Sequence, residues 1–212
     1  YAAPLQEPLA AAIIMATNWK PGMPFVNPMC GSGTLAIEAA LMAVKKAPGL
    51  LRKNYGFMHV KKFRKGYYDE CISELKEGQL TPESLPITLS DWDEKALEAA
   101  EENASKAGVK ELLRFEYCAY QDTTLYDEPF TVILNPEYGI RLGNEDELAD
   151  TYKSIGDFFK KRCAGSMGYV FSGNMDLLKK VGLAPKRRIP FFSAKIECRL
   201  YEFELYKSTR EK

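Results

Sequence analysis

Histidine is nearly missing from this sequence, since His59 stands alone. None of the five cysteines (Cys30, Cys71, Cys118, Cys163, Cys198) belongs to a Cys-x-x-Cys pair. Without paired cysteines or further histidines, a zinc site is excluded as a working expectation, and no metal is expected. Thiols that are scattered and odd in number read as reduced cysteine, which points to the cytoplasm. No apolar run approaches the ~20 residues that cross a bilayer, so no membrane partner is expected. The amino terminus lacks the basic-then-apolar pattern of a signal peptide. Net charge is also missing: 29 Lys and Arg balance 29 Asp and Glu. A neutral chain is a weak nucleic-acid binder by itself, so any such partner needs a local basic surface or help from another segment. The first residue is Tyr1 rather than Met, which suggests a fragment of a longer chain.

One local absence is more telling. From Ala39 to Tyr68 there is no acidic residue, while Lys45, Lys46, Arg52, Lys53, Lys61, Lys62, Arg64 and Lys65 supply eight basic groups. Lys186-Arg187-Arg188 forms a second basic cluster, and acids concentrate at 91–102 and 144–150. Any single lysine here reads as a solvated surface residue. As a strip on a neutral domain, they suggest a surface that meets phosphate.

The rest is ordinary globular sequence, 46% hydrophobic and 27% charged over 212 residues, enough for one sizeable α/β core. Apolar and polar segments alternate in a β-α-β manner, without repeats. The spacing predicts a helix over 4–18, with Pro4 near its start and Leu5, Leu9, Ala12, Ile13 and Ala16 on one face. A short strand follows at 24–27, then a glycine-rich turn opening into a helix at 35–44. Residues 49–85 are the least regular part and read as a long crossover with one helix at 67–76. Further strands are expected at 86–90, 112–117, 130–134 and 167–171. Helices are expected at 94–106, closed by Gly108, at 144–163 and at 174–181. The segments 187–192 and 196–206 look like a closing antiparallel pair.

Three constellations carry chemistry. The turn Asn27-Pro28-Met29-Cys30-Gly31-Ser32-Gly33-Thr34 joins a strand to a helix, which lets a ligand approach bare backbone beside a helix amino terminus. It lacks the Lys of a phosphate-binding P-loop. A dinucleotide site needs an acid about 20 residues on, and the first strand-end acid here, Asp91, lies much further away. S-adenosylmethionine has no phosphate and tolerates that spacing. Alone, such a turn reads as helix-on-strand packing. Asp91-Trp92-Asp93 follows the second strand: Asp91 can accept both hydroxyls of a ribose, Trp92 can lie on an adenine face, and Asp93 reads as a helix cap. The strand Thr131-Val132-Ile133-Leu134 runs into Asn135-Pro136-Glu137-Tyr138. The Asn135 amide oxygen and the Pro136 carbonyl can accept the two hydrogens of a flat exocyclic amine, and Tyr138 can stack on the ring that bears it. An Asn-Pro turn is common on surfaces. The order glycine turn, strand-tip acid, Asn-Pro-x-Tyr is not, and it favours a methyl-transfer site.

The sequence resembles the RNA methylases related to the bacterial ribosomal-RNA guanine-N2 methyltransferases, whose members often carry an upstream RNA-binding THUMP domain. The resemblance runs through Ala3-Pro4-Leu5-Gln6-Glu7, the glycine turn with Ile37-Glu38-Ala39-Ala40, and Ala47-Pro48-Gly49-Leu50. It continues in Ser90-Asp91-Trp92-Asp93, Asn135-Pro136-Glu137-Tyr138-Gly139 with Arg141-Leu142, and Ile196-Glu197-Cys198-Arg199-Leu200. It implies an α/β fold: a Rossmann-like class I S-adenosylmethionine-dependent methyltransferase sheet with helices on both faces and an antiparallel carboxy-terminal strand pair. Residues 1–212 would be one catalytic domain, with a THUMP-type domain upstream. The implied cofactor is S-adenosylmethionine, held by Asn27, Pro28, Cys30, Gly31, Ser32, Gly33, Thr34, Asp91, Trp92, Ala119 and Tyr120. The implied catalytic set is Asn135, Pro136 and Tyr138, and the implied partner is RNA, with N2 of a guanine in ribosomal RNA as acceptor.

The sequence departs from the family pattern at three places. Asn27 stands where the family usually has Asp, which removes a charge facing the sulfonium. Ala119 stands where an acid usually holds the adenine amine, with Asp122 as a possible substitute. Glu137 replaces the second Pro of Asn-Pro-Pro-Tyr. Two alternatives therefore remain in view: N6-adenine methylation of DNA or RNA, and a degenerate fold serving as a non-catalytic RNA-binding module. Cys30 reads as a small residue under the cofactor, since no histidine is at hand to activate it.

Overall fold

In the computed structural model, which describes residues 5–138, 145–193 and 195–207, the buried strands show why the sheet is covered on both sides. β1 (Phe25–Pro28), β2 (Ile87–Asp91) and β4 (Thr131–Leu134) are buried at every position. Successive side chains of a strand point to opposite faces, so a strand buried along its whole length needs a core on each side. Phe25 and Ile133 enter one core with Leu35, Ala36 and Ala100. Val26, Val132 and Leu134 enter the other with Tyr152, Ile155 and Phe159. The first core is closed by α1 (Glu7–Ala16), α2 (Thr34–Ala43) and α4 (Glu94–Ala107). The second is closed by α5 (Glu145–Arg162) and α6 (Met175–Lys180).

With β3 (Arg114–Tyr117), β5 (Met167–Ser172), β6 (Arg187–Ser193) and β7 (Ile196–Glu204), the strands form one seven-stranded sheet in the order β3-β2-β1-β4-β5-β7-β6. β1 to β5 pair in parallel, and β7 is antiparallel to both β5 and β6. The expected α/β sheet with an antiparallel closing pair is what the chain forms. Strand order reverses between β1 and β4, which opens a crevice at their carboxyl ends.

The elements follow the expected order, with shifts at their ends. α1 stops at Ala16 because Thr17 turns extended, its hydroxyl donating to the Ile14 carbonyl at 2.7 Å. Pro4, expected near its start, lies outside the described residues. β3 begins at Arg114 because a 3-10 turn at Lys110–Leu112 takes Leu112, the first residue expected for it. The crossover carries two 3-10 turns, Pro48–Leu50 and Gly56–His59, and a helix α3 longer than expected, Lys65–Glu77. Asp93 caps α4 as expected, accepting from the Lys95 amide at 2.9 Å, and Gly108 ends it in the left-handed conformation. Gly139, Arg141 and Leu142, which belong to the family resemblance, lie outside the described residues.

The basic cluster at 186–188 is used within the sheet edge. Lys186 pairs with Glu204, Arg187 with the buried Glu202, and Arg188 lies over the Tyr201 ring. Arg52, Lys53, Lys61 and Lys62 make no ion pair among the described residues, so the crossover keeps several basic groups free.

Candidate active site

The glycine turn leaves β1 in an unusual backbone path. Met29 has φ +55°, Gly31 φ +56° and Gly33 φ +78°, all in the left-handed region that favours glycine. The path is held from outside. The Cys30 amide donates to the Ser90 carbonyl at 2.9 Å, the Gly31 amide to Asp91 Oδ2 at 2.9 Å, and Asn103 Nδ2 to the Ser32 carbonyl at 3.1 Å. β2 and α4 thus fix a loop that belongs to β1. The two glycines do different work. A Cβ on Gly33 would lie 2.9 Å from Ala100 Cβ, so Gly33 lets α2 close on α4. A Cβ on Gly31 would meet nothing within 4 Å, because it would project into open space above the turn.

That space is a cavity of about 720 Å³ at the carboxyl ends of the strands, large enough for a nucleoside-sized ligand. The structure brings most of the expected cofactor residues to it. Asn27, Cys30, Gly31, Ser32 and Thr34 come from the glycine turn, and Asp91 and Trp92 from the end of β2. Ala119 and Tyr120 come from the turn after β3, and Asn135 and Pro136 from the end of β4. Pro28, Gly33 and Tyr138 are not part of the lining. Pro28 is buried in β1 and Gly33 faces α4. The half-buried Tyr138 packs its ring against Gly173, where a Cβ would come within 2.7 Å of it, and interacts with Cys198. Burial raises the phenol's pKa above its usual value.

Two residues of the lining each carry an orphaned atom. Asn27 Nδ2 donates to the Ile133 carbonyl at 2.9 Å, and its buried Oδ1 has no hydrogen-bond partner. Asn135 Oδ1 is buried and unpartnered in the same way. A buried acceptor left unmade costs about 1–3 kcal/mol, so two of them on residues that line one cavity point to donors supplied by a ligand. Asp91 is already engaged, accepting from Gly31 on Oδ2 and from the Asp93 amide on Oδ1 at 3.0 Å. Those bonds set its orientation, and a carboxylate retains lone pairs for further donors. Trp92 is 74% exposed beside the cavity, leaving an indole face free. Burial, and secondarily the Asp91 charge, push the Cys30 thiol far above its usual range, which disposes of it as a nucleophile.

Beyond β3 the sequence reading needs correction. Asp122 does not reach the cavity; its neighbour Gln121 does, from the 3-10 turn Tyr120–Asp122. The Gln121 carbonyl accepts from Arg162, and the Tyr120 hydroxyl donates to Ser154 Oγ at 2.7 Å, so α5 sets the turn's position. Leu148 and Thr151 of α5 and Leu5 before α1 also line the cavity. No local pattern announces them, because only the packing of α1 and α5 brings them there. Among the described residues no group of three or more His, Cys, Asp or Glu could hold a metal, and no helix is long and apolar enough to cross a membrane.

Comparison with known proteins fits this geometry. Residues 1–202 match the family described as RMKL-like, methyltransferase domain. The chain is 38% identical over 213 residues to the Ribosomal RNA large subunit methyltransferase K/L of Syntrophotalea carbinolica, covering 96% of the chain and 30% of that protein. Among solved structures, SMU.472 complexed with SAH superposes with a TM-score of 0.89 at 27% identity, covering 97% of the chain and 54% of that protein. A Listeria monocytogenes protein described as a “predicted N6-adenine-specific DNA methylase” superposes with a TM-score of 0.84 at 29% identity, covering 97% and 52%. The chain spans about half or less of the length of these relatives.

Proposed function

We propose that this chain, which belongs to the family of RMKL-like methyltransferase domains, methylates an exocyclic amino group of a base in RNA, N2 of a guanine in ribosomal RNA. The observation that carries the reading is that Asn27 and Asn135, which line one cavity beside a left-handed glycine, each keep a buried Oδ1 without a partner. The cofactor is S-adenosylmethionine, which supplies an electrophilic methyl group and leaves as a neutral thioether. The residues present suit it. The open space over Gly31 admits a ligand against backbone, Asp91 is positioned for a ribose diol, Trp92 offers a stacking face, and Asn27 offers an uncharged acceptor to the cationic end.

The chemistry asked of the protein is positioning. Asn135 Oδ1 and the Pro136 carbonyl accept the two amine hydrogens, which turns the nitrogen lone pair toward the methyl donor. The nitrogen forms the new bond to the methyl carbon, and the proton it sheds passes to water, so no strong base is needed. Tyr138, braced by Gly173, offers a ring against which the base stacks. A base in a duplex would be flipped out to reach the site, at a cost of a few kcal/mol. The exposed basic groups of the crossover, Lys53, Lys61 and Lys62 among them, are assigned to RNA phosphates. A THUMP-type domain upstream in the full-length protein is the expected second RNA contact. A cytoplasmic setting goes with this reading and with five free cysteines.

Calorimetric titration with S-adenosylmethionine tests the site, and absence of binding at millimolar cofactor would leave a non-catalytic RNA-binding fold. Nucleoside mass spectrometry of ribosomal RNA from cells lacking the gene tests the product. Loss of N2-methylguanine is the expected result; loss of N6-methyladenine would favour the adenine reading that the Listeria relative's description suggests.

A further inference from the structure

Methyl transfer uses Asn135, Pro136 and Tyr138 but leaves one residue of the tetrad without a task. Glu137 is exposed, lines the same cavity as Asn135 and Pro136, and has no hydrogen bond or ion pair among the described residues. No contact explains a carboxylate there as a structural group. Three successive residues of the lining instead carry three acceptors: the buried, unpartnered Asn135 amide oxygen, the Pro136 carbonyl and the Glu137 carboxylate. Pro136 has no N–H to offer in return.

The Watson–Crick edge of guanine is complementary to such a row. It presents N1–H beside the two N–H bonds of the exocyclic amine, three donors in all. Adenine presents two N–H bonds on its amine and then an acceptor lone pair at N1. A carboxylate beside the amine site gains a charge-assisted hydrogen bond from guanine N1–H and meets a lone pair on adenine N1. We propose that Glu137 is a specificity residue that accepts N1–H of the target base and selects guanine over adenine. The inference rests on the reading that Asn135 and Pro136 hold the exocyclic amine. Because Glu137 is exposed, water screens the interaction, and the selection it gives is about tenfold, equivalent to one charge-assisted hydrogen bond.

The test is a titration of the chain, saturated with S-adenosylhomocysteine, with guanosine 5′-monophosphate and with adenosine 5′-monophosphate. The two nucleotides share ribose and phosphate, so the ratio of affinities isolates the base edge. The wild-type chain is expected to favour the guanine nucleotide about tenfold. Glu137→Gln, whose amide can turn its NH2 toward adenine N1, should bring the ratio close to unity. Glu137→Ala should reduce it by weakening the guanine nucleotide alone. Equal wild-type affinities, no saturable binding of either nucleotide at millimolar concentration, or a ratio unchanged in both variants would overturn the proposal. Unchanged melting temperature and S-adenosylhomocysteine affinity show that the variants are folded. The proposed function fails separately. If the wild-type chain shows the guanine preference and its dependence on Glu137 but transfers no methyl group to transcribed large-subunit ribosomal RNA, base selection stands and methyl transfer falls. If it methylates that RNA and Glu137→Gln leaves the guanine-to-adenine product ratio unchanged, the role of Glu137 falls alone.

Discussion

The two ends of the sheet are built on opposite plans. At the carboxyl ends the cavity is framed by segments far apart in sequence, with Gly31 tied to Asp91 and Asn27 tied to Ile133. At the amino ends the crossover between α2 and β2 folds mostly on itself. From Lys45 to Pro86 no residue is buried. Its order comes from an aromatic cluster in which Phe57, Phe63 and Tyr68 lie about 6 Å apart and Tyr55 stacks on Phe57 at 5.2 Å. Arg52 lies over Tyr55 and Arg64 over Tyr67, with Tyr67 itself 61% exposed. α2 separates the two regions by about 15 Å, the length of ten helical residues. The cavity trades adaptability for fixed geometry. The crossover keeps charge and aromatic faces in solvent, which suits the proposed contact with RNA backbone and unpaired bases through accumulated weak contacts rather than one well-placed group.

The sharpest break between the regions is expected from Asn135→Ala. It should lower methyl transfer by about 100-fold or more while leaving S-adenosylmethionine affinity within about threefold, because only the amine site is lost. Wild-type turnover in a single-turnover assay would remove Asn135 from the site. Asp91→Ala should do the reverse, weakening cofactor affinity by about 10–100-fold in calorimetry, since it removes an acceptor and frees the Gly31 amide. Gly33→Ala should cost about 1–3 kcal/mol of stability in denaturant unfolding, through its positive φ and the close contact with Ala100.

In the crossover, Lys61→Glu with Lys62→Glu should weaken RNA binding by roughly tenfold and flatten its dependence on salt, with cofactor affinity untouched. A change in cofactor affinity instead would mean that the two ends are coupled. The smallest effect belongs to the far edge of the sheet, away from both regions. Burial alone would raise the pKa of Glu202, but hydrogen bonds from Arg187 and Tyr169 outweigh it and hold the carboxyl below its usual value. A depressed carboxylate contributes stability that is fully present above the unfolded-state pKa and is lost as pH falls through the folded one. Glu202→Gln should therefore flatten the acid side of the stability–pH profile while altering neither cofactor nor RNA affinity.

Most of the fold was legible because it rests on local pattern. Short, mostly apolar runs next to Gly, Pro or Asp read as buried parallel strands, and Gly108 and Asp93 mark the ends of α4. Much of the candidate site was legible for the same reason, since Asn27, Asp91 and Asn135 each stand at or next to the end of such a strand. Three places show what that reading does not record. Asp122 is the chemically attractive residue after β3, yet a 3-10 turn fixed by Tyr120 and Arg162 presents Gln121 instead. Tyr138, three residues from Asn135, is outside the cavity lining and braces its ring on Gly173 of a different segment, a contact that no local pattern announces. The cluster at 186–188 looks as free as the basic strip of the crossover, but Glu202 and Glu204 of the neighbouring strand neutralise two of its charges.

The sequence by itself determined which residue types stand at which strand ends, because strand, turn and cap signals are written in neighbouring residues and their short-range sterics. Only the tertiary structure decided which of those residues share a cavity and which acceptors stay unpaired, because hydrogen bonds such as Gly31 to Asp91, 60 residues apart, exist only once the sheet is assembled. A buried oxygen is orphaned by everything packed around it, and no neighbour in sequence records that.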